Sequence, residues 1–107
     1  MTHALASVVR RVCALAAQRR VRFTRKALHE LASLGLDTQD AYQTLEALRS
    51  ADFVRRLASA QTGEWLYVFK PNLFGLSIYV KLVLRDGCLV VSFHEDDHAD
   101  EDGEEDV

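Results

Sequence analysis

The chain has 107 residues, one domain's worth, and its 49% hydrophobic and 27% charged content excludes wholesale disorder and collagen-like structure. No apolar run approaches the roughly 20 residues of a membrane helix, and Arg10 and Arg11 split the most apolar N-terminal stretch, so neither a span nor an export signal is expected. Two cysteines, Cys13 and Cys88, are too few for a disulfide scaffold or a zinc cage, and a reducing cytoplasm is the expected home.

The formal net charge of −3 hides a division. Nine of the 16 acids fall in residues 95–107, which hold no Lys or Arg, leaving seven acids against 13 bases in residues 1–94. The expected organisation is therefore one domain, 1–94, followed by a disordered acidic tail, 95–107. A basic body favours a polyanionic partner such as nucleic acid. The tail serves solubility on the plain reading; on the sharper one it competes weakly with the polyanion for the basic face.

Residues 4–18 read as a helix with Leu5, Val8, Val9, Val12, Leu15 and Ala16 on one face. Val21 and Phe23 alternate with arginines, as in a short strand or extended link. Thr24 looks like an N-cap, Ala27, Leu28, Leu31 and Ala32 form a helical stripe, and Gly35 suits the left-handed position that ends it. Asp37 caps a third helix, with Ala41, Leu45 and Leu48 on its face. From Asp52 the period changes to two. Residues 53–57 read as a possible short strand and Trp65, Tyr67 and Phe69 as the core side of a clearer one, closed by Pro71-Asn72. Residues 77–85 and 88–94 are the strongest strands, and Asp86-Gly87 between them is a strong hairpin signal, because both turn residues must accept positive φ. Helices first, then an antiparallel meander, predict an α+β domain with the helices on one sheet face.

A two-residue turn fixes the pairing. Leu84, Leu82 and Val80 then meet Leu89, Val91 and Phe93 on the core face. The other face pairs Val83 with Val90, Lys81 with Ser92 and Tyr79 with His94, and opposed Cβ atoms sit about 4.5–5.5 Å apart. A phenol, an imidazole and an ammonium thus converge on one rigid hairpin. His94 suits proton exchange near neutrality, Tyr79 suits proton donation or base stacking, and Lys81 suits phosphate. The plain alternative is an ordinary sheet surface.

The remaining signals are weaker. No glycine-rich phosphate loop and no metal-ligand spacing is present. The run Arg19, Arg20, Arg22, Arg25 and Lys26 fits phosphates, an acidic partner or a solvated face equally. Cys13 reads as packed, and Cys88 as exposed at the hairpin end. A winged helix on DNA is disfavoured, because the helix that would enter the groove carries Asp40 and Glu46 after Asp37, with Arg49 as its one base.

Taken in order, Val21-Arg22, Thr24-Arg25, Ala27-Leu28, Leu34-Gly35-Leu36-Asp37, Asp52-Phe53, Trp65, Pro71, Tyr79-Val80-Lys81-Leu82 and Val91-Ser92-Phe93 resemble the MqsR family of bacterial toxins over about residues 8–94. The resemblance implies a RelE-like fold, a metal-independent endoribonuclease that cuts mRNA without a cofactor, and a cognate antitoxin partner. In such enzymes the substrate's 2′-hydroxyl attacks the adjacent phosphorus, which restricts cleavage to RNA. The family's tyrosine matches Tyr79. A family lysine falls on Arg55, which keeps the charge but cannot act as a base. The C-terminal lysine falls on His94, and a glutamine falls on Leu66, which cannot hydrogen-bond. Tyr79 and His94 are then the expected acid/base pair, in either order, with Arg55 and Lys81 on the phosphate. Arg56, Arg22, Arg25 and Lys70 are further candidates for substrate contact. The rival expectation, prompted by Leu66 and Arg55, is a binding module that has kept the fold and lost catalysis.

Overall fold

The computed structural model describes residues 3–96. The first helix, α1 (His3–Ala17), leads to a short strand β1 (Val21–Phe23). Two short helices follow, α2 (Arg25–Ser33) and α3 (Thr38–Glu46). Thr24 caps α2 by accepting the Ala27 amide at 3.1 Å. Asp37 caps α3 in a reciprocal box with Asp40, both bonds 3.0 Å. Between them Leu36 N donates to Leu31 O and Gly35 N to Ala32 O, with Gly35 at φ +76°. This left-handed termination turns the chain sharply into α3. The third helix ends at Glu46, earlier than the apolar stripe suggests, and Leu48 is buried after it.

A single turn of tight helix (Ser50–Asp52) feeds the meander β2 (Phe53–Ala58), β3 (Trp65–Phe69), β4 (Asn72–Leu73), β5 (Leu76–Val83) and β6 (Cys88–Glu95). The sheet order is β1-β6-β5-β3-β2, with β1 parallel to β6, the other neighbours antiparallel, and β4 folded back on β5. The expected α+β meander with helices on one face is what forms. The last strand runs one residue past the expected domain edge, since Glu95 pairs with Ile78. The expected tail lies, from residue 97 on, outside the described residues.

The core joins Val9, Val12, Leu15, Ala16, Ala27, Leu31, Ala41 and Leu45 of the helices to Phe69, Ile78, Val80, Leu82, Cys88, Val90 and Phe93 of the sheet. Trp65, expected with Tyr67 and Phe69 in the core, is instead 43% exposed. The Arg56 guanidinium lies over its ring at 3.9 Å.

The hairpin register is half as expected. Tyr79 meets His94, Val80 meets Phe93 and Lys81 meets Ser92. Nearer the turn, Leu82 meets Val90 and Val83 meets Leu89. The turn holds one residue more than the two expected, and Val91 is an extra residue that restores the outer pairing. Asp86 (φ +52°) and Gly87 (φ +101°) do take the positive φ that the dipeptide suggests. As a result Val90 and Cys88 face the core, contrary to expectation, while Leu89 and Val91 lie half-buried on the other face. The bulge falls where the edge partner of β6 changes. β1 pairs with residues 88–90, and α2 takes over beyond them. Thr24 N donates to Val90 O, Thr24 Oγ1 to Val91 O, and Phe93 N to Glu30 Oε1 at 2.8 Å. These side chains satisfy backbone groups that the ladder leaves unmatched.

Candidate active site

The face opposite the helices presents its side chains in cross-strand rows. One row runs Arg55, Val68, Lys81, Ser92 across β2, β3, β5 and β6. The next holds Tyr79 and His94, with Lys70 beside them, because the preceding residue Phe69 pairs with Val80. A third row, Leu57, Leu66, Val83, Leu89, is wholly apolar and continues to Arg22 on β1.

The expected central pair is in direct contact. The Tyr79 and His94 rings stack with centroids 4.9 Å apart and planes 10° off parallel. His94 Nδ1 lies 2.9 Å from the carbonyl oxygen of Glu95. A carbonyl only accepts, so Nδ1 carries the hydrogen and the lone pair of the neutral ring sits on Nε2. The Lys70 ammonium stands 6.0 Å from the Tyr79 ring centroid and pairs with Asp96 at 3.3 Å. Lys26 completes this edge: its Nζ donates to Ser92 Oγ at 2.9 Å and pairs with Glu30 at 2.9 Å. In the sequence Lys26 is only one member of a basic run. The capping of α2 by Thr24 and the seating of that helix on β6 bring it to the site.

Arg55 reaches this face through a second irregularity. Phe53 pairs with Phe69 but Arg55 pairs with Val68, so Val54 is an extra residue in β2. Regular alternation would set Arg55 on the core side with Phe53. The shift sends it to the open side.

The other expected contacts are dispersed. Arg56 pairs with Tyr67 on the helix side of the sheet and stacks on Trp65, so it shares no surface with Tyr79 and His94. Arg22 is on the open face but its Nη2 donates to Arg85 O at 2.6 Å, near the turn. Arg25 is exposed at the start of α2. Arg19 is structural: it pairs with Glu46 at 2.8 Å and lies over the Tyr42 ring at 4.5 Å. Leu66, at the family's glutamine position, stands on the open face two residues from Val68, among Leu57 and Val83.

Cys88, expected exposed, is fully buried, and burial pushes its thiol up to about 12. Cys13 is half-buried and its thiol is also raised, chiefly by burial. Neither is an activated nucleophile. Among the described residues no group of three or more His, Cys, Asp and Glu is placed to hold a metal ion. Nor is any described helix long and apolar enough to cross a membrane. A cleft of about 210 Å³ near Thr44, Arg49, Asp52 and Asn72 contains none of the site residues. The candidate site is a cation-bearing sheet face on the side away from the helices, with Tyr79, Lys81 and Ser92 buried at its centre and Arg55, Lys70 and His94 partly exposed around them; an extended polyanion suits such a row of cations better than an enclosed small molecule does.

Comparison with known proteins places the chain in a family. The family model described as motility quorum-sensing regulator, toxin of MqsA, matches residues 3–95. The mRNA interferase toxin MqsR of Escherichia coli (strain K12) is 32% identical over 76 residues, covering 70% of this chain and 78% of that protein. The family model's match runs from α1 to the end of β6. On that extent of agreement the chain belongs to the MqsR toxin family.

Proposed function

We propose that this chain is a toxin endoribonuclease that cleaves mRNA by attack of the substrate's own 2′-hydroxyl, and that an antitoxin protein restrains it. The stacked Tyr79–His94 pair, flanked by Lys81, Lys70 and Arg55 on one face, is the observation that carries the reading. In the proposed step His94 Nε2 takes the proton of the 2′-hydroxyl while that oxygen bonds to phosphorus. The bond from phosphorus to the 5′-oxygen breaks, and Tyr79 gives its proton to the departing oxygen. A 2′,3′-cyclic phosphate and a 5′-hydroxyl result, with no net consumption of protons. The hydrogen bond at His94 Nδ1 supports this order of roles. Arg55 and Lys81 hold the phosphate and offset the charge that develops on its oxygens. A DNA strand lacks the nucleophile and is not cut. Proton transfer by a positioned side chain contributes roughly 10²–10⁴-fold, so His94→Ala and Tyr79→Phe are each expected to lower kcat within that range.

The test is incubation of the purified chain with RNA in EDTA, with cyclic-phosphate ends as the expected product. Absence of cleavage, or undiminished cleavage by the Tyr79→Phe, His94→Ala double variant, overturns the reading. Leu66 on the open face favours one rival, a binding module without catalysis. Expression separates the two: an active toxin arrests growth and its His94→Ala variant does not, whereas a pure binder gives the same growth with either.

A further inference from the structure

The chain leaves the sheet at the candidate site itself. β6 ends at Glu95, one residue after His94, and the next residue, Asp96, is held in place twice. Its amide donates to Ser77 O at 2.8 Å, and its carboxylate pairs with Lys70 at 3.3 Å. The side chains of that pair are only 25% and 13% exposed, so this is a partly desolvated contact and not a loose surface pairing. An acid of the C-terminal segment thus already occupies a cation of the Tyr79–His94 row. Seven more acids follow within residues 97–106. The helices bury their apolar faces on the other side of the sheet, yet Tyr79 and Lys81 are just 2% and 6% exposed.

We propose that the acidic segment 95–106 acts as an intramolecular substitute for the RNA backbone, competing for Lys70, Lys81 and Arg55 from its anchor at Asp96. The choice of these partners rests on the RNA-cleavage reading above. Reach is sufficient: adjacent strands are about 4.8 Å apart, so Arg55 lies about 15 Å across the sheet from β6, and ten extended residues span up to about 35 Å. A tethered competitor acts at an effective concentration in the millimolar range, enough to hold an electrostatic contact at low salt and to yield to a long polyanion. Ion competition weakens as salt screens both partners. The segment accordingly raises the threshold for weak, non-specific RNA and leaves a tightly held substrate able to displace it.

The test keeps the chain at full length and neutralises the seven acids beyond Asp96 (Asp97→Asn, Asp100→Asn, Glu101→Gln, Asp102→Asn, Glu104→Gln, Glu105→Gln, Asp106→Asn). Two measurements are made. In the first, a fluorescent 2′-O-methyl RNA oligonucleotide, which cannot undergo attack by its own 2′-oxygen, is titrated at 50 mM and 500 mM salt. The neutralised chain is expected to bind about 10-fold tighter at 50 mM, with the gap closed at 500 mM. In the second, backbone amide NMR signals of Tyr79, Lys81 and Arg55 are compared between the two chains without RNA, and are expected to move. Unmoved signals, or equal RNA affinity at 50 mM where both chains bind, overturn the inference. Moving signals with no RNA binding by either chain uphold the intramolecular contact and overturn the RNA reading instead.

Discussion

Cys88 reports on the hairpin register from outside the site. With two residues in the turn and regular pairing it would stand on the open face; the longer turn places it in the core. Burial raises its thiol from the ordinary 9.0 to about 12, and the smaller effect of the Arg22 charge works the other way. Below pH 9 both folded and unfolded chains hold the proton. Above it the unfolded chain loses the proton and the folded chain keeps it, so stability falls as pH rises toward 12. The slope is about 1.4 kcal/mol per pH unit, or about 3 kcal/mol lost by pH 11 to this group alone. Urea unfolding at pH 8, 9, 10 and 11 measures it when the natural chain is compared with Cys88→Ala. The truncated side chain leaves a cavity whose cost is the same at each pH, and the other titrating groups are common to both chains. Converging stabilities at high pH are expected. Parallel curves would refute the buried register, as would labelling of Cys88 by a thiol reagent as fast in the folded chain as in urea.

Three further outcomes follow from single contacts. Thr24→Ala removes the cap on α2 and the hydroxyl donated to Val91 O; a loss of about 2 kcal/mol is expected in urea melts, and a loss under 0.5 would mean that the bulge does not need it. Phe74 is 76% exposed and sits at φ +54° before Gly75 at φ +82°, in a tight turn closed by the Leu73–Leu76 pair. Phe74→Asn suits that geometry and should stabilise by about 0.5–1 kcal/mol, whereas a fall in the urea midpoint contradicts the turn. Leu66→Gln puts an amide on the open face beside Val68, and a changed set of cut positions on a defined RNA is expected; an unchanged set would place base recognition elsewhere.

Most of the architecture is legible because it rests on local chemistry. Thr24, Gly35 and Asp37 punctuate the helices with side chains and conformations that neighbouring residues alone determine. The alternating strands and Asp86-Gly87 do the same for the hairpin. The Tyr79–His94 contact is legible for a less secure reason. The turn is one residue longer than assumed and the strand holds one extra residue, and the two departures cancel beyond Val91. Between the turn and the bulge they do not cancel, which is why Cys88, Leu89, Val90 and Val91 all take the face opposite to the expected one. Nothing in the local sequence marks Val91 as the bulge. Its position is set by the neighbour of β6, which changes from strand β1 to helix α2 beside it. The face of Arg56 was unreadable in the same way, since the extra residue Val54 reverses the faces of β2 and sets Arg56 against Trp65.

These irregularities also explain how His94 and Arg55 come to share one sheet face. A regular antiparallel strand that packs one side on helices commits every second residue to the core. Counting from Leu89 on the open face, His94 falls on a core position, and counting from Phe53 in the core, Arg55 does too. The extra residues Val91 and Val54 each invert the count once, one on either side of the Lys81 and Tyr79 strand. One inversion delivers an imidazole and the other a guanidinium to the same surface. Beside the first bulge, Thr24 and Glu30 take up β6 backbone groups on its edge. A substitution that regularised either strand would improve the ladder and dismantle the site, so stability and activity should respond to it in opposite directions.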